Sequence, residues 1–174
     1  MPSADGIAAA ELSDQSRSTL EADSTPASFV ARLSEAGLFA DAIKFMAQAM
    51  GPKQSIAWAV TCLGELGTAE TQERTAALEA SRRWLAEPSD GNRRSAQEAA
   101  DKATAATPEG CVALAVFFAE GSIAPPNLQS VPPPPFVAAK IAASAVLLAA
   151  VQKEPEKAAE RLKQCVRLGS DSAN

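Results

Sequence analysis

The sequence predicts an all-α fold, a single compact bundle of about seven or eight helices with one long proline-rich loop. Apolar residues make up 47% of the chain, but aromatic residues only 5%. Because alanine dominates the apolar class, this composition favours closely packed helices over a sheet. Apolar residues also recur at helical spacing, with glycine or proline between the periodic segments. A length of 174 residues suits one domain.

The chain divides into three parts. Residues 1–27 contain few large apolar side chains, so their burial cannot offset the entropy lost on ordering. We therefore expect a flexible, low-complexity N-terminal arm there, with a short helix near residues 8–21 as the alternative. The helical domain should span residues 28–169, followed by a frayed tail at residues 170–174.

The first three helices of the domain follow from caps and breaks. Ser28 is a suitable N-cap for a short helix that stops at Gly37. Residues 38–50 have helical spacing, and Gly51-Pro52 ends that helix and begins the next. This third helix runs to about residue 65 and is apolar around most of its circumference, so Trp58 should be buried.

Two more polar helices are predicted next. Thr68 can cap a helix that runs to about residue 86 and directs Trp84 inward, with Glu70 and Arg74 as an exposed pair. Asp90 can cap a helix over residues 93–104. The inward stripe of that helix contains only alanine, so it can pack only by close approach of the backbones.

A central apolar helix begins at Thr107-Pro108 and ends at Gly121. We interpret Glu109 as a first-turn acid that complements the helix dipole, and Glu120 as an exposed last-turn residue. A second buried helix is predicted over residues 136–153. The last helix opens at Pro155 and stops at Gly169.

The proline loop, residues 121–135, lies between these two buried helices and is the best candidate for a functional surface. Its prolines favour an extended, rigid backbone with an apolar ridge, which aromatic grooves of other proteins recognise. The alternative is internal packing, in which the prolines lie against Trp58 or Trp84. The candidate residues of the loop are Pro125, Pro126, Asn127, Leu128, Pro132, Pro133, Pro134 and Pro135.

Charge and composition exclude several classes of function. A net charge of −5 disfavours nucleic acid and anionic membrane as partners. The longest apolar stretch, residues 136–151, is shorter than the roughly 20 residues that span a bilayer, and Lys140 interrupts it. No secretory signal precedes the domain, so we expect a cytoplasmic protein.

Catalysis and metal binding have few candidates. The chain contains no histidine or tyrosine, so the usual acid–base groups are missing and no catalytic residue, cofactor site or metal site is predicted. Three separated cysteines, Cys62, Cys111 and Cys165, are expected to be buried free thiols. We therefore do not expect an enzyme.

Two arginine pairs, Arg82-Arg83 and Arg93-Arg94, flank the turn at residues 88–91. Their guanidinium groups could meet around a phosphate or a partner carboxylate. Because acidic residues are interleaved with them, a solvated surface of neutralised charges is the favoured interpretation.

Several strings of residues resemble one family of proteins. The loop sequence GSIAPP followed by VPPPP, with Ala57-Trp58-Ala59 upstream and residues 146–150 downstream, is similar to a family of uncharacterised all-helical bacterial proteins. That family is loosely associated with gene clusters for type VI secretion. The resemblance covers about residues 29–169 and implies an accessory, adaptor or chaperone-like role.

Together these observations predict a non-catalytic module that binds another protein. The sequence does not identify that partner, and it leaves open whether the chain forms a homo-oligomer. One alternative is a helical protein that binds a lipid or small molecule, with Trp58, Phe117, Phe118 and Phe136 lining a pocket. A toxin-neutralising immunity protein is another, because the size and acidity fit.

Overall fold

The protein is all helical in a computed structural model that describes residues 4–21 and 24–171, a part of the chain in which no strand occurs. The helices are short and follow one another closely. They are α1 (Ala4–Ala9), α2 (Asp14–Ser18), α3 (Pro26–Glu35), α4 (Phe39–Met50), α5 (Pro52–Leu66), α6 (Gln72–Ala86), α7 (Asp90–Ala103), α8 (Pro108–Phe117), α9 (Val137–Gln152) and α10 (Ala158–Asp171), with a 3₁₀ turn at Pro155–Lys157 before α10. The predicted all-α class is confirmed.

The centre of the bundle is formed by the two apolar helices predicted to be buried. In α8, nine of the ten residues are buried, and α9 buries eight residues, of which seven are alanine. Helix α9 packs against α4, α5 and α8, whereas α7 packs against α6 and α8. Because alanine side chains are small, neighbouring helices can approach closely, as the composition predicted.

Several helix ends differ from the predicted ones by a few residues. Thr25 rather than Ser28 caps α3, because its hydroxyl accepts from the Ser28 N–H while Ser28 bonds back to Thr25. Helix α6 is capped by Thr71, and α7 by Ser89. In each case the hydroxyl of the observed cap accepts from the N–H of the third helical residue. The sequence offers more than one residue for this role, and the local pattern alone does not show which of them is the cap.

The C-terminal helix continues through Gly169, which the sequence analysis expected to be its end. Gly169 lies in α10 at the crossing with α4 and α5, where an added Cβ would meet the terminal methyl of Met46 and the Nε1 of Trp58. The glycine therefore permits close approach of two helices rather than a left-handed stop. Of the expected frayed tail, residues 172–174 lie outside the described residues.

The N-terminal segment, expected to be a flexible low-complexity arm with a short helix near residues 8–21 as the alternative, contains two short helices. Helices α1 and α2 lie in this segment, and α1 packs on α4. Ala10 and Leu12 are buried, and Ser13 and Ser16 bond the carboxylate of Asp41 on α4. These polar contacts and two apolar side chains hold a segment whose composition alone gave no reason for packing. Residues 1–3, 22 and 23 lie outside the described residues.

A buried ion pair joins α6 to α8. Arg74 Nε donates to Glu109 Oε2 at 2.7 Å, and the Thr68 hydroxyl donates to Glu109 Oε1. Arg74 also donates to the Thr68 carbonyl and to Gln152 Oε1 on α9. Glu109 is fully enclosed, so it is not only the first-turn acid inferred from the sequence. The predicted pair of Glu70 and Arg74 forms at 3.5 Å, but Arg74 itself is buried rather than exposed.

Candidate binding loop

The chain from α8 to α9 contains the proline loop, and its neck is closed by one hydrogen bond between backbone atoms and one from the backbone to a serine side chain. The Ile123 N–H donates to the Val131 carbonyl at 2.9 Å, and the Val131 N–H donates to the Ser122 hydroxyl at 3.0 Å. The Ser122 hydroxyl also accepts from the Ala124 N–H. Residues 122 and 131 are thus held together, and the residues between them form a compact surface loop.

Two arginines of α7 hold the start of the loop. Arg93 donates to the carbonyls of Phe117 at 2.7 Å and Ser122 at 2.8 Å, and Arg94 donates to the Ala124 carbonyl at 3.0 Å. Proline has no N–H, and irregular backbone leaves its carbonyls without helical partners. The guanidinium groups supply the donors that this segment lacks.

Arg93 is almost completely buried, and its charge is balanced locally. It lies over the Phe117 ring, 4.9 Å from the ring centroid, and shares the carboxylate of Asp90 with Arg94. The pKa of Asp90 is lowered because Arg93 and Arg94 donate hydrogen bonds to its carboxylate. This pair was expected to be a solvated surface, so the structure corrects that interpretation: the two arginines are internal anchors of the loop.

The outer part of the loop faces solvent. Four large apolar residues of the described chain are markedly exposed, and three of them lie at this site: Leu128 at 60%, Val131 at 46% and Phe136 at 42%. The fourth, Val151, lies at the end of α9. Pro125, Pro126 and Asn127 are also exposed. An apolar surface concentrated on one ordered loop is typical of an interaction site.

The four-proline run connects the loop to α9. Pro132, Pro134 and Pro135 are exposed, and Pro133 is half-buried. Trp58 and Trp84 are both buried in the core, and Trp58 Nε1 donates to the Cys165 carbonyl on α10 at 2.9 Å. The exposed prolines are therefore not buried against the bundle. Their contact with either tryptophan stays a prediction.

Phe136 adopts an unusual backbone conformation at the end of this run. Its φ is +66°, in the left-handed region that a bulky residue seldom occupies. Its carbonyl accepts from the Lys140 N–H at 3.0 Å and from Gln48 Nε2 on α4 at 3.3 Å. These bonds fix the conformation in which the ring remains partly exposed.

The four aromatic residues proposed for a lipid pocket lie in different surroundings. Phe117 and Phe118 stack edge to face with centroids 5.3 Å apart, and Phe117 lies beneath Arg93. Phe136 lies at the surface, and only Trp58 of the four lines the apolar groove between α3, α4, α5 and α10. The lining of this groove therefore differs from the lining expected from the sequence, and a pocket formed by all four residues stays a prediction.

The described residues contain neither a candidate metal cluster nor a helix that could span a membrane. No three carboxylates or thiols among them gather closely enough to hold a metal ion. None of the described helices combines the length and apolar character needed to cross a bilayer. The three cysteines are free and buried, as predicted. Burial raises the pKa of the Cys111 thiol to about 11.

The loop was predicted from the sequence, but the role of Arg93 and Arg94 in holding it was not. The signal was present: a segment with six prolines offers many carbonyls and few donors, and two adjacent arginines stand on the preceding polar helix. The acidic residues near the arginines favoured the interpretation of a solvated surface. In the structure, Asp90 pairs with both arginines and orients them toward the loop.

Comparison with known proteins gives a family but no activity. The model of a family described as a family of unknown function (DUF6931) matches residues 29–173. No curated protein and no solved structure matches the chain. The matched region includes the proline loop and both arginines that hold it, whereas helices α1 and α2 precede it.

Proposed function

The chain belongs to the DUF6931 family, and we propose that it is a non-catalytic module that binds another protein through the proline loop. One observation supports this proposal above the others. Leu128, Val131 and Phe136 present exposed apolar side chains on a loop whose neck is fixed by hydrogen bonds and by two arginines. A globular protein keeps such a surface at a cost in solubility, so a partner that covers it accounts for it best.

The anchored loop lowers the entropy lost on binding. A mobile loop would have to be ordered by its partner, and each residue fixed costs about 1–2 kcal/mol. Here the bonds from Arg93, Arg94 and Ser122 already restrict residues 117–131. A preformed surface of this kind can bind with a small contact area.

The strained backbone of Phe136 also supports a role in recognition. A non-glycine residue in the left-handed region costs roughly 1–2 kcal/mol. The conformation places a phenyl ring at the surface directly after Pro135. Strain that exposes an apolar ring is more useful for contact with a partner than for packing of the bundle itself.

The chemistry of the loop indicates what its partner offers. No charged residue lies between Glu120 and Lys140, although the chain as a whole has a net charge of −5. Recognition would therefore depend on apolar contact and on proline carbonyls, as in grooves lined by aromatic side chains. We expect the affinity to change little with salt, because no ion pair forms at the loop.

A cellular context follows from the resemblance of the loop sequence to proteins of type VI secretion clusters. On that basis we propose a cytoplasmic adaptor, accessory or chaperone-like factor of a bacterial secretion system. This part of the proposal rests on the residues of the loop motif and not on the geometry. It predicts that the protein crosslinked to the loop is a component of such a system.

Site-specific photocrosslinking in the native cell tests the proposal. A photoreactive amino acid replaces Leu128 in the full-length protein, and crosslinked species are identified by mass spectrometry. The matched control carries the same group at Val151, which is also large, apolar and exposed but lies away from the loop. We expect a defined adduct at position 128 that is absent at position 151.

A substitution then links the adduct to the loop surface. Leu128→Ser should weaken binding of the identified partner at least tenfold while the helical content of the protein stays unchanged, because Leu128 is exposed and supports no core contact. Identical adducts at positions 128 and 151, or unchanged affinity of Leu128→Ser, would contradict the proposal.

A further inference from the structure

A second surface of the molecule is an apolar groove between helices α3, α4, α5 and α10. Its volume is about 930 Å³, within the range of roughly 300–1,000 Å³ that ligand sites occupy. Residues on its walls include Val30, Met46, Met50, Ala57, Trp58 and Val166. The groove shares no residue with the proline loop, so it needs its own explanation.

Small residues keep the groove open. Ala31, Ala49 and Ala57 line it and are exposed, where longer side chains would fill the space. Gly169 brings α10 against Met46, Met50 and Trp58 at its floor. The groove is therefore a consequence of close helix packing with alanine walls.

The lining suits a flexible hydrocarbon chain. Met46 and Met50 are unbranched and adaptable, and they adjoin the buried face of Trp58. The Trp58 indole N–H is already bonded to the Cys165 carbonyl, so this ring offers the groove apolar surface only. Polar atoms come from hydroxyl-bearing residues at Thr25, Ser34 and Thr61.

Among the described residues that line the groove, Arg167 is the one charged residue. Its side chain is exposed, and within residues 4–21 and 24–171 it makes no ion pair or hydrogen bond. Six other arginines of the described chain are engaged in ion pairs, for example Arg161 with Glu154 and Arg74 with Glu109. Arg17 and Arg83 are also without an ion pair among the described residues, but neither lines the groove. On a chain with 21 acidic and 16 basic residues, an unpaired cation beside an apolar groove is a specific feature.

From this combination we propose that the groove binds a single-chain anionic amphiphile, such as a long-chain fatty carboxylate. The hydrocarbon chain lies along Met46, Met50 and Trp58, and the carboxylate is paired with the Arg167 guanidinium. The apolar walls remove the chain from water, and the guanidinium accommodates the two carboxylate oxygens. The described residues that line the groove include no acid that would repel this head group.

Binding of three probes to delipidated full-length protein tests the ligand class. Hexadecanoate, hexadecanol and hexadecyltrimethylammonium have the same chain length and carry a negative, neutral and positive head group. Isothermal titration below their micellar concentrations gives the affinities, and tryptophan fluorescence follows Trp58. Hexadecanoate should bind with one-to-one stoichiometry and most tightly, and hexadecyltrimethylammonium most weakly.

Two variants separate the head-group contact from the chain site. Arg167→Gln should weaken hexadecanoate about two- to fivefold, as expected for an exposed ion pair, and leave hexadecanol unchanged. Ala57→Leu should fill the groove and weaken both at least tenfold. Controls are Arg83→Gln and Ala76→Leu, at exposed positions of α6 outside the groove, which should bind all probes as the wild type does.

Three results would overturn the proposal. One is that hexadecanoate does not bind, and another is that Ala57→Leu binds it as the wild type does although its circular dichroism and melting temperature are unchanged. The third is a concentration-dependent dimer, measured by light scattering, that Ala57→Leu abolishes. That result would assign the groove to contact between copies of the chain. Because Leu128→Ser leaves the groove intact, the proposals for the loop and the groove can fail independently.

Discussion

Among single residues, Glu109 has the most enclosed charge of the described chain. Its carboxylate lies inside the bundle and accepts hydrogen bonds from Arg74 and Thr68. A buried ion pair gives little net stability over an apolar pair, but the loss of one partner leaves the other charge buried and unpaired. The effect of a substitution therefore depends on which half of the pair remains.

We predict that Glu109→Gln lowers the free energy of unfolding by about 3–5 kcal/mol, since the Arg74 guanidinium loses its buried counter-charge and keeps only the longer contact, at 3.5 Å, with the exposed Glu70. The matched control is Glu79→Gln, whose carboxylate pairs with Arg82 at the surface, and it should change stability by less than about 1 kcal/mol. Urea unfolding followed by circular dichroism measures both.

The double variant Arg74→Met/Glu109→Met checks the cause. It should be more stable than the Glu109→Gln variant, because no unpaired charge is left in the core. Equal losses for Glu109→Gln and Glu79→Gln would show that Arg74 reaches solvent or finds another partner.

For individual residues, the sequence predicted the burial of apolar side chains better than the burial of charged ones. Trp58, Trp84 and the three cysteines were predicted to be buried, and they are. Arg74 and Arg93 were assigned to the surface because charged residues usually lie there, and Glu109 was assigned only the role of a first-turn acid. Their burial depends on partners 24 to 78 residues away, which local periodicity cannot detect.

Among the helices, α7 and α8 show how close two elements can come. Gly110 lies in the first turn of α8 beside the end of α7, and an added Cβ would clash with the Thr104 carbonyl, a backbone atom that cannot rotate away. Gly91 lies in the first turn of α7 with open space around its Cα. The two glycines thus differ in surroundings although both are helical.

We predict opposite effects of alanine at these two positions. Gly110→Ala should destabilise the protein by about 1–3 kcal/mol through overpacking. Gly91→Ala should stabilise it by about 0.4–1 kcal/mol, because alanine loses less backbone entropy in a helix. Thermal unfolding of both variants beside the wild type gives the sign directly. Stabilisation by Gly110→Ala would mean that the two helices can separate without cost.

The order and type of the helices after residue 27 were predictable from caps, prolines and apolar spacing, but the residues at which the helices begin and end were not. Thr68 was a reasonable cap by sequence, but its hydroxyl is used by Glu109, and Thr71 caps α6 instead. Likewise Gly169 was expected to end the last helix, because glycine often follows a helix C-terminus, but it lies within α10 and allows that helix to contact Met46. Tertiary contacts decided between local alternatives that sequence patterns left equal.

For the whole molecule, the main departure from the sequence-based fold is the docking of the N-terminal segment. Burial by itself would raise the pKa of Asp41, but hydrogen bonds from Ser13, Ser16 and Lys44 outweigh it, so the pKa lies well below its usual range. The bundle class was predictable from composition, whereas this docking depends on one carboxylate that meets two serines 25 and 28 residues away.

We predict that Asp41→Asn loosens the segment and lowers stability at pH 7 by about 1–3 kcal/mol, the range for hydrogen bonds to a charged group. Trypsin should then cut faster after Arg17, which lies in α2. Asp101→Asn, at an exposed site on α7, is the control.

The same variant gives a defined pH dependence. Because the folded-state pKa of Asp41 is lowered, its stabilising effect is complete above the unfolded-state pKa of about 3.9 and is lost as the pH falls further toward the folded-state value. The stability difference between wild type and Asp41→Asn should be constant from pH 7 to 5 and shrink below about pH 4. A difference that already declines near pH 6 would contradict this assignment.

The anchoring of the proline loop by Arg93 and Arg94 links it to the local unfolding of α7. The inward face of that helix buries only alanines and Arg93, so its opening exposes little apolar surface and should need less free energy than opening of α8 or α9. When α7 opens, both arginines release the loop carbonyls together. The amides of Ile123 and Val131 should therefore exchange with solvent deuterium at the rate set by α7, and the exposed face of the loop lasts only as long as that helix stays closed.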